Sequence, residues 1–550
     1  MAQQQLQINL DTPSLRKARG AFFTPPELSE FMVRWAVRSH TDAVLEPSCG
    51  EAAFLLPSAF RLRELGARKL RLHGVDLHGP SAQRAAILLR SHGFDADIRV
   101  ADFFTVSGGP DYDAVVGNPP YVRYQDFAGT ARERGLQAAA SQGVKLDGLA
   151  NIWAAFVVHA ATCLKPDGRL AMVLPATLLT ANYAAPIRSY LLRRFSRVGL
   201  VMFRERVFPG VQEEVVLLLA EGTGAAGAIH VTEVADASSL ASLDFWEQAH
   251  PTPAAGAKWT TALLEPHERE AYSSVVRSAH FETLGDWGRV DLGMVTGNNK
   301  YFTMTPAEAS ERGLQTSELL NVCPAGARHL PGTTFSKAAW NELGHQAKRT
   351  LLFYPDPANL SDAARRYIAE GEASGVHRAY KCRMRNPWWR VPTVSPPHLF
   401  FTYMSGVAPR LVTNRASARH LNSLLGVTLH RGRVGVGQSW LPLAALNSVS
   451  LLGAELIGRS YGGGVLKIEP REAVLLPVPT RDVLNQHRDA LRVVRDRVMT
   501  QLRMGNIAEV SRIVDDVLLA RALRMDRAAL RSVRSALSLL RERRRQRGRA

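Results

Sequence analysis

Over about the first 220 residues, short apolar runs alternate with stretches of helical spacing. Residues 28–37, 52–65, 151–164 and 184–195 place apolar side chains three or four apart and read as helices. Between them, a run opening at Ala43 and the runs 70–76, 98–100, 113–116, 169–174, 198–203 and 215–220 read as buried strands. Strand and helix in alternation predict an open, doubly wound α/β sheet with its ligand crevice at the carboxyl ends of the strands. Residues 222–257 turn rich in Ala, Gly, Thr and Pro, with one further strand at 229–234, so a domain boundary falls near residue 260. Beyond it the pattern is mixed α+β, and 289–302 reads as strand, turn, strand. From 480 onward the chain is helical and Arg-rich, with Val510, Ile513, Val514, Val517 and Leu518 at helical spacing. The expected organisation is 1–258, 259–480 and 481–550.

One strand end carries more than fold. The apolar run Asp113–Val116 is broken by Gly117 and followed by Asn118, Pro119, Pro120 and Tyr121. Each proline fixes its own φ and extends the residue before it, so the Asn118 amide and the Pro119 carbonyl are held in place. An amine could donate both hydrogens to those oxygens, leaving its nitrogen electron-rich, while Tyr121 stacks on the ring that bears it. An isolated Asn-Pro pair merely ends a strand. Four such residues in a row after an apolar strand ask for chemistry.

Composition narrows the partners. The chain is 46% hydrophobic and 21% charged, a globular profile, and no apolar run approaches a membrane span. Its start lacks the regions of a signal peptide, so the expected compartment is the cytoplasm. Cys49, Cys163, Cys323 and Cys382 form no C-x-x-C pair, so neither a metal site nor a disulfide framework is expected. A formal net charge of +18 favours a polyanion such as nucleic acid.

The corner resembles the catalytic motif of amino-methyltransferases that use S-adenosylmethionine, particularly the N6-adenine DNA methyltransferases. The resemblance runs in order from Phe22 to Tyr121. It implies a Rossmann-like methyltransferase sheet in which Phe22 and Thr24 lie near the cofactor's methionine end. Thr24 also reads as a helix cap, with Pro25 at the first helical position and Glu27 three residues after the cap. Glu46 would meet the cofactor's ammonium and sulfonium, and Ser48 and Gly50 would form its loop, although the family's glycine pair is incomplete here. Asp76 would accept from the ribose hydroxyls. Asp102 would accept from the cofactor's adenine amine while Phe103 stacks on its ring. Asn118 and Pro120 would border the cofactor as well as the substrate. Phe208, in Val207-Phe208-Pro209-Gly210, matches the aromatic that closes the second face of a flipped adenine.

The second half resembles, more loosely, the target-recognition domain of the same enzymes, on Gly293 to Asn298 and on Lys467 to Glu472. Asn298 and Lys300, at the predicted turn, are candidates for a phosphate or a base edge. Residues 378–390 interleave cations with Tyr380, Trp388 and Trp389, making Arg383 and Arg385 candidate DNA contacts. The final basic run, Arg541 to Arg549, reads as a mobile tail with nonspecific affinity for DNA. The implied activity is sequence-specific methylation of adenine N6 in double-stranded DNA by a base-flipping monomer, paired with a separately encoded restriction endonuclease. Alternatives are an RNA-base or cytosine-N4 methyltransferase, and a DNA-binding subunit with an inert methyltransferase fold.

Overall fold

The computed structural model describes residues 24–106, 109–121, 129–147, 150–205, 207–208, 214–243, 246, 249–253 and 256–549. Phe22 lies outside the described residues. Contacts divide the chain into two compact units, 1–263 and 264–549.

The first unit is built on one nine-stranded sheet, in the order β3-β2-β1-β4-β5-β7-β6-β8-β9. The strands are β1 (Ala43–Glu46), β2 (Arg71–Asp76), β3 (Asp97–Val100), β4 (Tyr112–Gly117), β5 (Leu164–Pro175), β6 (Arg197–Phe203), β7 (Val215–Glu221), β8 (Ala228–Val234) and β9 (Ala249–Pro251). Strands β1 to β5 are mutually parallel, and β7 runs antiparallel between β5 and β6. The predicted doubly wound sheet is therefore present, extended by β8 and β9.

In the central strands, alternate side chains enter two different cores, so these strands are buried on both sides. In β4, Val115 faces one core with Trp153, Val157 and Leu191, while Ala114 and Val116 face the other with Leu28, Met32 and Leu62. The helices supplying those faces include α1 (Pro26–Ala36), α2 (Leu55–Glu64) and α5 (Ile152–Thr162), with α3 (Gly79–Ser91) and α4 (Gly129–Ser141) between the last two in sequence. Because β1 lies between β2 and β4, the connections leave in opposite directions on its two sides. The crevice at the carboxyl ends of β1 and β4 is the topological switch point of the sheet.

The second unit holds a five-stranded sheet, a four-stranded sheet and smaller ribbons, with helices gathered toward its C-terminal half. Two expectations change here. The strand Gly288–Leu292 pairs with Leu425–Leu429 rather than with its sequence neighbour, and residues after Gly297 form the one-turn helix Asn299–Phe302 instead of a second strand. Gly297, at φ +87°, makes the turn, and a Cβ there would lie 3.1 Å from that of Lys381. The basic C-terminal run is no tail. It belongs to the helix Arg527–Arg549, which packs on Pro266–Val276 and Ser448–Ile457. Arg544 is 3% exposed and donates to both carboxylate oxygens of Glu455 at 2.9 Å, a geometry that pins the helix. Among the described residues, no single helix is long and apolar enough to cross a membrane.

Candidate active site

The carboxyl ends of β1, β2 and β4 are tied together by the loop that leaves β1. Ser48 Oγ donates to the Asn118 carbonyl at 3.2 Å, joining that loop to the corner after β4. Gly50 N–H donates to Asp76 Oδ2 at 2.8 Å, joining it to the end of β2. Gly50 takes φ +49°, a left-handed conformation suited to glycine. The other Asp76 oxygen accepts from His78 N–H at 2.7 Å. Each carboxylate oxygen thus holds one backbone N–H and keeps a lone pair for a further donor.

At the corner itself, Asn118 Nδ2 donates to Thr24 Oγ1 at 3.2 Å. Thr24 is 5% exposed and is not the cap of α1. That helix starts at Pro26, with Pro25 in the cap position and no side-chain cap bond. The hydroxyl predicted to cap a helix instead fixes which way the Asn118 amide faces. With the nitrogen satisfied, Asn118 Oδ1 is buried and has no hydrogen-bond partner among the described residues. A buried amide oxygen without a donor costs on the order of 1–3 kcal/mol, so its survival points to a partner that arrives from outside. Pro119 is buried, Pro120 half-buried, and Tyr121 donates its hydroxyl to the Val173 carbonyl at 3.0 Å, which anchors the ring at the end of β5. Phe208 is 4% exposed, in the same apolar cluster against which Tyr121 packs.

Glu46 and Asp76 end β1 and β2, while Asp102 stands two residues past β3, and the three differ. Glu46 is 1% exposed, and its Oε2 accepts from Leu55 N–H at 2.9 Å and Phe54 N–H at 3.3 Å, at the start of α2. Burial pushes its carboxyl well above the ordinary range, with those two N–H groups and the helix dipole opposing the shift only in part. Glu46 was expected as a charged partner of the cofactor; in the protein alone it holds its proton more tightly than a solvated glutamate. Asp102 is tied down on both oxygens, by Phe104 N–H at 3.1 Å and by the guanidinium of Arg134 on α4 at 3.1 Å. Phe103 departs from expectation most. It is 2% exposed, with its ring centroid 4.6 Å from that of His159 and 5.2 Å from that of Phe156, so its face is core and not a platform. The apolar side chains exposed at these strand ends are Leu77 (72%) and Val100 (60%), which sequence reasoning missed. A lone Leu after a strand-ending acid gives no pattern to detect.

In the second unit the predicted DNA contacts separate. Asn298 caps the Asn299–Phe302 turn, its side-chain oxygen accepting from Tyr301 N–H at 3.1 Å, so a base would have to share that oxygen with the cap. Arg385 donates to the carbonyls of Thr296 (2.8 Å) and Val295. Its fork is occupied internally, which removes it as a reader of bases. Lys300 and Arg383 stand exposed.

Comparison with known proteins agrees with this division. Residues 8–280 match the model of the N-6 DNA methylase family, and residues 256–519 match that of the C-terminal domain of the type II methyltransferase M.Eco57I. The type II methyltransferase M.AccI of Acinetobacter calcoaceticus is 22% identical over 470 residues, 83% of this chain and 84% of that protein. M.XamI of Xanthomonas campestris pv. amaranthicola is 24% identical over 482 residues, 85% and 86% of the two chains. In fold, the type IIL restriction-modification enzyme MmeI, solved in complex with DNA, superposes with a TM-score of 0.57 over 93% of this chain and 75% of its own, at 11% identity. With an orphaned amide oxygen at the switch point of the sheet and a second unit matched by a methyltransferase C-terminal domain, this chain belongs to the N-6 DNA methylase family and is a DNA methyltransferase of the restriction-modification type.

Proposed function

We propose that the protein transfers a methyl group from S-adenosylmethionine to the N6 amine of an adenine flipped out of double-stranded DNA, at a specific sequence shared with a separately encoded restriction endonuclease. The observation that carries this reading is Asn118 Oδ1, an acceptor buried without a donor and oriented by Thr24. An exocyclic amine supplies the missing hydrogen. Donation to Asn118 Oδ1 and to the Pro119 carbonyl leaves the amine lone pair directed away from both oxygens, toward an electrophile. Positive charge that develops on the nitrogen during transfer falls beside two fixed dipoles that need no reorganisation.

The residues present fit the cofactor. Asp76 retains acceptor capacity for the ribose hydroxyls, and the loop from Ser48 to Gly50 closes against it. Leu77 and Val100 offer the apolar surface that Phe103 does not. Bound there, S-adenosylmethionine supplies an electrophilic methyl group. Tyr121 and Phe208 border the same apolar cluster, which supports a role for them against the target ring. The roles of Asp102 in holding the cofactor and of Glu46 beside its cationic end belong to this proposal, and both require their present partners to share the carboxylate.

The test is product identity. Duplex DNA incubated with the protein and labelled cofactor, then digested to nucleosides, should yield N6-methyldeoxyadenosine by mass spectrometry. N4-methyldeoxycytidine in its place, or label incorporated only into RNA, would overturn the reading.

A further inference from the structure

Between Glu372 and Glu455 the chain runs for 82 residues without an aspartate or glutamate while carrying ten cations: Arg378, Lys381, Arg383, Arg385, Arg390, Arg410, Arg415, Arg419, Arg431 and Arg433. The structure sorts them. Arg385 donates to the carbonyls of Thr296 and Val295, Arg390 to those of Tyr354 and Pro355, and Arg410 to those of Leu330 and Pro331, while Arg433 pairs with Glu282. These four are scaffold. Arg378, Lys381 and Arg383, by contrast, are exposed on a single short stretch.

The same stretch exposes large apolar side chains. Tyr380 is 63% and Met384 70% exposed. Tyr380, Arg383 and Met384 stand at i, i+3 and i+4 along the turn Tyr380–Arg383, so they share a face, and Lys381 Nζ lies 5.6 Å from the Tyr380 ring centroid. The face is also rigid beneath. Arg385 clamps it to the 295–296 backbone, and Gly297 lets that backbone approach Lys381 closely. A flexible basic loop attracts a polyanion without orienting it. A clamped turn with an aromatic and a thioether between three cations is preorganised.

We infer that this face, Tyr380 and Met384 flanked by Arg378, Lys381 and Arg383, is a contact of the second unit with double-stranded DNA. The cations meet phosphates, and the two apolar side chains meet sugars and base edges. The inference rests on the proposed DNA substrate and adds which side chains touch it: Tyr380 and Met384 enter, and Arg385 leaves. Charge decides the occupant. An acid-free stretch with unpaired surface cations suits a continuous line of phosphates, and neutralising them releases counterions.

The experiment uses the full chain and a fluorescent mixed-sequence duplex, titrated at several salt concentrations. Lys381→Ala/Arg383→Ala should reduce the slope of log affinity against log salt by about 1.8, two phosphate contacts at ~0.9 each. Tyr380→Ala/Met384→Ala should weaken binding about tenfold and leave the slope unchanged, because it removes no charge. Arg415→Ala/Arg431→Ala, exposed cations on other segments of the unit, should alter the slope less than Lys381→Ala/Arg383→Ala does. A wild-type slope for Lys381→Ala/Arg383→Ala together with wild-type affinity for Tyr380→Ala/Met384→Ala, with wild-type protein binding the duplex, would overturn the face. Tighter binding of single-stranded RNA than of the duplex would overturn the assignment to double-stranded DNA. Failure of the wild-type protein to bind any duplex would instead remove the proposed substrate. All substituted side chains are exposed, so thermal melts of the variants should match wild type.

Discussion

The corner at Asn118 and the cationic stretch at 378–390 treat polar side chains in opposite ways. At the corner, an acceptor is buried and left without a donor, while everything around it is satisfied: its own amide nitrogen, its backbone carbonyl and the neighbouring carboxylate of Asp76. In the cationic stretch, the half-buried forks are the satisfied ones, and the unpaired charges stand in water. Burial without a partner is expensive, and at the carboxyl end of a central strand, beside the switch point, it marks a place where a ligand can supply the partner. Exposure without a partner costs little and marks a place where long-range attraction operates. Residue type alone does not tell these apart; position relative to solvent does.

The sharpest way to break the comparison is Asn118→Ala. It removes the orphaned oxygen and should lower the single-turnover methylation rate by about 10²–10³, the range seen for loss of one preorganised transition-state hydrogen-bonding group. Cofactor affinity by calorimetry should stay close to wild type. A rate near wild type would mean that the unsatisfied oxygen carries no chemistry.

Asp76→Ala comes next. It deprives the N–H groups of Gly50 and His78 of a charged acceptor and removes the ribose acceptor as well. At roughly 1.5–3 kcal/mol per hydrogen bond to a charged group, S-adenosylmethionine affinity should fall by at least tenfold. Unchanged affinity would leave Asp76 a loop-tying residue only.

Arg383 and Arg385 then test the other side of the comparison, two residues apart. Arg385→Ala strands two backbone carbonyls and should lower unfolding stability by about 1–3 kcal/mol in urea titrations, whereas Arg383→Ala should stay within about 0.5 kcal/mol. Equal effects on stability would erase the distinction between scaffold and surface cation.

The smallest effect concerns pH. Because burial raises the Glu46 carboxyl above its unfolded value, the folded state binds its proton more tightly than the unfolded chain does. Its contribution to stability is complete below the ordinary carboxylate pKa and is lost as pH rises toward the raised value. Glu46→Gln has no proton to lose, so its melting temperature should gain steadily on wild type as pH rises out of the ordinary carboxylate range. Parallel curves would show that Glu46 is charged in the folded protein.

These contrasts explain what the sequence made legible. The sheet was readable because strands buried on both faces leave short continuous apolar runs, set off by stretches of helical spacing, and the corner because two prolines restrict their own neighbours. Thr24 was singled out as a cap and as a neighbour of the cofactor's methionine end, but not as a partner of Asn118. The hydroxyl's real partner lies 94 residues away, beyond any local rule. Phe103 had the right neighbours in sequence for a stacking ring, and only α5, carrying Phe156 and His159, buries it. Arg383 and Arg385 are indistinguishable locally, since the carbonyls that claim Arg385 lie about ninety residues upstream. The C-terminal arginines misled for the same reason: Glu455, which captures Arg544, is 89 residues earlier.

That captured helix sets an order of events during synthesis. The sheet of the first unit is complete once Pro251 has been made, so that unit can fold while the ribosome is still translating. The second unit packs its opening helix, Pro266–Val276, against Arg527–Arg549, and its fold closes only after those last residues have emerged. Chains interrupted before residue 527 would present a finished first unit beside a second unit lacking its final brace. Stalled or proteolysed products of this protein should therefore accumulate as fragments resistant up to about residue 260 and labile beyond it.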